Sequence, residues 1–253
     1  MFLMPENIGV TRFRLRHPRT SDALRGKKIL HLSDLHSRVF PSDSLYDAVA
    51  AEHPDLIVMT GDMFHDDLAA ISGIMPLMKA SAELCPCYFI FGNHEQRLPA
   101  IVCDELEDKL KSFGVRVLNN GTEELFGARI CGFVPPVEYI THAPHPTKPL
   151  TAKGISAELG RCPADDFTIL LAHDPSRFTS YCKWGADLVF SGHVHGGAVR
   201  LPVIGGVFTP QRTFFPKYQC GIYTLGRTAM VVSRGLGRPR FANPPEIVTV
   251  TMM

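Results

Sequence analysis

The 253-residue chain predicts an α/β protein. Short uninterrupted apolar runs of strand length recur along it, as expected of strands buried on both faces. Stretches with apolar residues at helical spacing separate the first three of these runs. Five runs end in polar clusters of Asp, Asn and His, and the carboxyl ends of strands are where α/β sheets collect ligands. Hydrophobic residues make up 45% and charged residues 20%, a balance that can bury a sizeable core.

Residues 8 to 15 alternate loosely and predict an edge strand. Lys28 to Leu32 forms the first buried run, ending at Ser33-Asp34-Leu35-His36. Ser42 is a candidate N-cap for a helix through Leu45, Val49 and Ala50, which His53-Pro54 stops. Leu56 to Met59 is a second run, ending at Thr60-Gly61-Asp62, and apolar spacing predicts a helix over 67–83. Cys87 to Phe91 is the third run, ending at Gly92-Asn93-His94-Glu95. A helix follows over 99–113, with Ile101, Leu106 and Leu110 on its apolar face and Gly114 as its stop.

From Val115 the rhythm shifts to strands over 115–118, 122–126 and 128–133, and five prolines between 134 and 150 predict an irregular excursion. Phe167 to Leu171 is the fourth buried run, ending at Ala172-His173-Asp174-Pro175. A short helix near 175–182 leads to the fifth, Leu188 to Phe190, which ends at Ser191-Gly192-His193-Val194-His195. Strands near 221–225, 228–233 and 246–252 close the chain.

A net charge of +1 argues against an extended nucleic-acid-binding surface. Seven cysteines without a repeated spacing, Cys85-Pro86-Cys87 being the closest pair, read as free thiols of a reducing compartment and not as a zinc site. No signal-peptide pattern is visible, and no window reaches the ~18 apolar residues of a membrane span. A cytoplasmic location is therefore the expectation for the chain as it stands.

The five strand-end clusters are Asp34/His36, Asp62, Asn93/His94, His173 and His193/His195. Alone, any one of them reads as a cap or a polar turn. Together they supply carboxylates, imidazoles and an amide oxygen without thiolate, a donor set suited to Mn, Fe or Zn. The eight side chains in these clusters exceed what one ion needs. Two ions about 3.5–4 Å apart, with one carboxylate shared, would employ seven of them as ligands and would suit in-line displacement at phosphorus.

Asp34-Leu35-His36, Gly61-Asp62, Gly92-Asn93-His94-Glu95, His173 and Gly192-His193-Val194-His195 occur in the order seen in the calcineurin-like metallophosphoesterases, which the chain resembles over about 28–197. The tail, with Ser233-Arg234-Gly235-Leu236-Gly237 and Asn243-Pro244-Pro245-Glu246-Ile247, looks like that of the YkuE-like phosphohydrolase subgroup. The resemblance implies one domain over 1–253, built as a four-layer α/β/β/α sandwich of two facing mixed sheets flanked by helices. It implies that Asp34, His36 and His195 bind a first divalent metal ion, and Asn93, His173 and His193 a second. Asp62 would bridge them. His94 would stabilise the transition state and protonate the leaving oxygen, with a metal-bridging hydroxide as nucleophile.

The activity so implied is hydrolysis of a small-molecule or lipid-linked phosphoester, with a phosphodiester or pyrophosphate favoured over a phosphomonoester. A scaffold that has lost its metals would lack some of these ligands, and all seven are present. No nucleic-acid partner is expected. Association with a membrane surface is compatible with the subgroup, whose members often carry an N-terminal export or anchor segment.

One departure stands out. Members of the family often place an Asp three residues after the bridging carboxylate to orient the catalytic His, and this chain has His65 there, followed by Asp66 and Asp67. Either Asp66 or a backbone carbonyl is expected to take over. His65 and Arg97, close in sequence to the clusters, are further candidates for substrate contact. His31, inside an apolar run, reads as a core histidine, His142 and His145 as loop residues, and Asp174 as a helix cap. Phe208, Phe214 and Phe215 are expected to pack on a sheet.

Overall fold

The structure is a computed structural model. It describes residues 8–41, 44–65, 68–136, 139, 148–197, 199–201, 205–208, 216–237 and 243–253. Ser42, Asp66, His142, His145, Phe214 and Phe215 lie outside the described residues, as does the side chain of Phe208.

The strands are β1 (Gly9–Leu15), β2 (Lys28–Leu32), β3 (Leu56–Met59), β4 (Cys87–Phe89), β5 (Arg116–Val117), β6 (Thr122–Leu125), β7 (Ala128–Phe133), β8 (Phe167–Ala172), β9 (Leu188–Ser191), β10 (Val199–Leu201), β11 (Gly205–Phe208), β12 (Gly221–Leu225), β13 (Thr228–Val232) and β14 (Glu246–Met252). Twelve of them form two six-stranded sheets, ordered β1-β14-β2-β3-β4-β5 and β12-β13-β9-β8-β7-β6. Each sheet is mixed. In the first, β14 runs antiparallel to β2 among parallel neighbours; in the second, antiparallel pairs at both edges flank a parallel centre.

Alternation along the strands shows why there are four layers. On β8, Ile169 and Leu171 join the large core that also holds β2, β3 and β4, while Leu170 and Ala172 join a second core. That second core is completed by Ile155 of α5 (Ala152–Leu159) and by Phe178, Tyr181 and Trp184 of α6 (Phe178–Trp184). Phe190 against Val189, and Val231 against Met230, divide the same way. Side chains two apart share a face, so a strand buried on both sides must be apolar throughout. The outer face of the first sheet is covered by α1 (Ser44–Ala51), α3 (Met75–Leu84) and α4 (Ala100–Ser112), which contribute Leu45, Val49, Met78, Leu106 and Leu110 to the large core.

Several expectations change in detail. The helix expected over 67–83 is broken into α2 (Leu68–Ile71), a 3₁₀ turn (Ser72–Ile74) and α3. Gly73 weakens the helix and Pro76 cannot donate to the preceding turn, but it is welcome at the start of a new one. Ile101 is 66% exposed and not on the buried face of α4, because five residues separate it from Leu106 and rotate it off the stripe. Gly114 does stop that helix, at φ +91°. The helix α5, with Thr151 Oγ1 accepting from the Gly154 amide, and the antiparallel pair β10–β11 have no strong sequence signal. His31 is fully buried against Thr60 Oγ1 at 2.7 Å, and burial drives its pKa down to about 3. It is a neutral core histidine.

All seven cysteines are free, and burial raises the pKa of both Cys85 and Cys87. Among the described residues no helix is long and apolar enough to cross a membrane. Gly132 of β7 lets the Leu118 backbone pass directly over it, and a Cβ there would overlap the Leu118 carbonyl and the Ile90 side chain. Gly132→Ala is therefore expected to destabilise the protein by roughly 1–3 kcal/mol, the ordinary cost of overpacking, read as a lower midpoint in urea.

Candidate metal centre

Strands β2, β3 and β4 of the first sheet and β8 and β9 of the second deliver their carboxyl ends to one place. The backbone makes unusual turns there. Asp34, His36, Asp62, His193 and His195 all have positive φ, between 50° and 70°. That region is sparsely used by residues other than Gly, although Asn, Asp and His enter it more readily than most. Five such residues in one cluster mean that the surrounding structure holds each side chain where extended or helical backbone could not.

Glycines make the turns possible. A Cβ on Gly92 would overlap the Asp62 carboxylate, and one on Gly192 would overlap Ser33 and Asp34. Backbone hydrogen bonds then tie the loops together. Asp34 N–H donates to Gly61 O, His36 N–H to Asp62 O and Gly192 N–H to His173 O, each at 3.0 Å. Across the two sheets, the His193 N–H lies 3.0 Å from both Asp34 carboxylate oxygens, and His173 Nδ1 lies 2.7 Å from Thr60 O. With Nδ1 donating to that carbonyl, the His173 Nε2 lone pair is left for another partner, which is how ligating histidines are oriented.

The side chains form three overlapping groups of potential donors: Asp34, His36 and His195; His36, Asp62 and His94; and Asp62, His173 and His193. His36 Nε2 and His195 Nε2 are 3.2 Å apart, and His195 Nε2 is 3.5 Å from Asp34 Oδ1. His173 Nε2 is 3.2 Å from Asp62 Oδ2. Asn93 Oδ1 is buried and has no hydrogen-bond partner among the described residues. His94 stands at the more open side, its side chain 19% exposed and its Nε2 4.0 Å from Asp62 Oδ2, while its backbone N–H donates to Asp62 Oδ1 at 2.8 Å.

The electrostatics show a site short of positive charge. Burial pushes Asp34 up to about 6, with His173 pulling the other way and Asp62 adding to the rise. Burial likewise raises Glu95 to about 7, again with Asp62 contributing. Burial also penalises the Asp62 carboxylate, but the facing imidazoles, His173 foremost, hold it well below the usual range. Burial disfavours a charged His173, yet Asp62 outweighs it and lifts His173 to about 10. Three buried carboxyls, Asp34, Asp62 and Glu95, crowd together, and the rise at His173 reflects their combined negative field. Divalent ions would fit this donor set and supply the missing charge.

Glu95 is the residue whose role the sequence understates. It is fully buried, and its carboxylate accepts from the backbone N–H groups of Asp62, Phe64 and Gly92 at 2.7–2.9 Å. It thus clamps the loop after β3 to the loop after β4. Glu95→Ala is expected to strand those donors at about 1–3 kcal/mol each, lowering thermal stability and metal uptake together, as calorimetry and metal analysis would show. Its position as the fourth residue of Gly92-Asn93-His94-Glu95 is the only sequence signal.

The tail closes the site from the other side. Gly235, at φ +78°, packs against Asp34 Cβ, and Leu236 N–H donates to Ser33 O. Asn243 Nδ2 donates to His195 O at 2.7 Å and to Gly197 O at 3.1 Å. His65 is exposed but brought to the site, its ring centroid 5.3 Å from that of His94 and 6.3 Å from that of His36. Arg97 is exposed at the end of the short 3₁₀ helix Glu95–Arg97. Asp174 caps the next 3₁₀ helix, accepting from the Ser176 N–H at 2.9 Å, as expected.

A sequence profile of the family described as "Calcineurin-like phosphoesterase" matches residues 27–197. The chain belongs to the calcineurin-like phosphoesterases. Similar members include phosphodiesterase YaeI of Escherichia coli, 29% identical over 83% of this chain and 75% of the relative. The uncharacterized metallophosphoesterase YkuE of Bacillus subtilis is 28% identical over 99% of this chain and 87% of its own length. UDP-2,3-diacylglucosamine pyrophosphatase LpxG of Chlamydia muridarum is 24% identical over 97% and 89%. The chain is accordingly a metal-dependent phosphoric ester hydrolase, and two facing mixed sheets carry its strand-end clusters as the family resemblance implied.

Proposed function

We propose that this phosphoesterase hydrolyses a phosphodiester or pyrophosphate bond at a two-metal centre. Asp34, His36 and His195 would hold one ion, and Asn93, His173 and His193 the other, with Asp62 between them. The observation that carries this reading is the position of Asp62, which shares one donor group with His36 and another with His173 and His193. When bound, two divalent ions would lower the pKa of a water and neutralise charge building on the phosphoryl oxygens.

The protein's own groups do the rest. Asp34 and Asp62, anchored by backbone amides, fix where positive charge sits. His94, set by its N–H bond to Asp62 and open to solvent on one side, would hold a proton on its ring and deliver it to the leaving oxygen. His65 lies beside it where substrate would enter. The C-terminal strap touches Asp34 and His195, which supports treating residues 1–253 as one catalytic domain. The relatives named a phosphodiesterase and a diacylglucosamine pyrophosphatase favour a small-molecule or lipid-linked substrate with a doubly substituted phosphorus.

The test is direct. Protein loaded with Mn, Fe or Zn should hydrolyse bis-p-nitrophenyl phosphate faster than p-nitrophenyl phosphate, and chelation should abolish both. A chain that takes up no metal and cleaves neither would overturn the proposal.

A further inference from the structure

Beside the ligands proposed for the second ion lies a cavity of about 50 Å³ whose walls include Asn93, His173 and His193 themselves. Among the described residues, Asp34, His36, His195 and His94 take no part in its lining. The cavity therefore adjoins the metal centre on the second ion's side, away from the group proposed to protonate the leaving oxygen. In an in-line displacement the leaving group departs toward that proton donor, and the substituent that stays on phosphorus lies to the side. A group held in this cavity is thus one retained after hydrolysis.

The cavity is restrictive in size. One water needs ~10–15 Å³ of such space, so about three to five groups of water size fit. Its chemistry is mixed and electrically balanced. Phe91, Leu150 and Tyr181 supply apolar surface, and the Tyr181 hydroxyl already donates to Asp174 O at 2.8 Å. Gln96 Nε2 donates to Pro135 O at 2.9 Å. A carbonyl can only accept, so the amide is fixed with Oε1 as its remaining acceptor. Arg177, its side chain 12% exposed, places Nε 3.4 Å from Asp174 Oδ2, so its charge is countered within the wall. Its Nη2 donates to Tyr139 O at 3.3 Å, and Nη1 has no partner among the described residues. One acceptor and one donor without net charge suit a hydroxyl, which can answer both. They do not suit a second phosphoryl group, whose oxygens would meet Asp174 and Gln96 Oε1 with no unbalanced cation.

We infer that this cavity receives the ester group that stays on phosphorus, and that this group is a short, uncharged, hydroxyl-bearing alcohol residue. The product is then the phosphomonoester of a small alcohol, whatever leaves from the His94 side. The inference rests on the phosphoesterase reading above and adds a reason for a doubly substituted phosphorus, because a monoester has nothing to fill the cavity. It assigns Gln96 and Leu150 as specificity-determining residues that touch the retained group and not the phosphorus.

The experiment uses the full-length, metal-loaded protein and p-nitrophenyl phosphodiesters in which p-nitrophenolate always leaves. Only the retained group changes, from methyl, ethyl, propyl and hexyl to 2-hydroxyethyl and 2-carboxyethyl. In the unmodified protein kcat/KM should rise by up to about fourfold per carbon from methyl to propyl and fall at hexyl. The 2-hydroxyethyl diester should exceed propyl, its match in size, by about two- to tenfold, and 2-carboxyethyl should do no better than methyl. Leu150→Ala removes three carbons from the wall, so hexyl should overtake propyl. Gln96→Leu should turn the preference from 2-hydroxyethyl to propyl. Both effects are ratios between substrates within one protein, and metal content and thermal unfolding report that each variant folds. Gln96→Leu carries the test if Leu150→Ala does not fold. Rates that ignore the retained group, or that climb through hexyl in the unmodified protein, would overturn the inference. So would a preference for 2-carboxyethyl, which would make the cavity an anion site, or size and hydroxyl preferences that survive in the folded variants. Failure to hydrolyse any diester, bis-p-nitrophenyl phosphate included, would instead overturn the phosphoesterase proposal on which it rests.

Discussion

Asp62→Ala is expected to abolish turnover, by roughly 10³-fold or more, and to lower metal content together with it. The Asp62 carboxylate has no substitute. Its Oδ2 faces His173 Nε2 at 3.2 Å, its Oδ1 accepts the His94 N–H, and it belongs to two of the three donor groups. Removing it takes away the group shared between the proposed ions and leaves the His94 amide without its acceptor. Gly92 packs directly on this carboxylate, so a neighbouring side chain cannot move in to replace it. Asp62→Asn separates the two effects. It keeps an oxygen for the His94 amide while removing the charge, so it should fold better than the alanine variant and still bind metal poorly. Metal analysis by mass spectrometry beside diester turnover reads both quantities. Full metal content in Asp62→Ala would show that the bridging assignment is wrong.

His94→Ala should behave differently. Turnover is expected to fall by about 10²–10⁴-fold, the range for loss of a general acid, while metal content stays at the level of the unmodified protein. The distinction is needed because His94 also lies in a donor group with His36 and Asp62. Its Nε2 stands 4.0 Å from Asp62 Oδ2, farther out than His173, and its side chain is the more exposed of the two. A substrate with a leaving group that needs no proton, such as p-nitrophenolate, should lose less than one with an alkoxide leaving group. Loss of metal in His94→Ala would reassign it as a ligand.

Much of the fold is legible in the chain because its signals are local. Each buried strand is a continuous apolar run, since both faces of both sheets are covered, and such runs need no partner to be recognised. Where local signals were weak, the expectation failed. Ile101 carries the right residue type at the wrong phase, and the helix expected over 67–83 hides a break that only the combination of Gly73 and Pro76 explains. The pair β10–β11 is defined by its pairing, which no single strand encodes.

The candidate site divides along the same line. Within each sheet the sequence determined which side chains meet, because each lies just past a buried strand and parallel strands carry their carboxyl ends to one edge, whereas the meeting of the β2, β3 and β4 ends with those of β8 and β9 follows from how the two sheets face each other. Asp34, His36, Asp62, Asn93, His94, His173, His193 and His195 could all be named without coordinates. Only the tertiary structure decided how they are held. The left-handed backbone at Asp34, His36, Asp62, His193 and His195 is imposed by contacts between loops far apart in the chain, not by local preference. The same is true of Glu95, which clamps two loops through three backbone amides, and of Asn243 and Gly235, which reach the site from the far end of the chain. Residue type travels with the sequence, whereas a buried hydrogen bond exists only once folding has brought its donor to its acceptor and removed the water that would otherwise satisfy both.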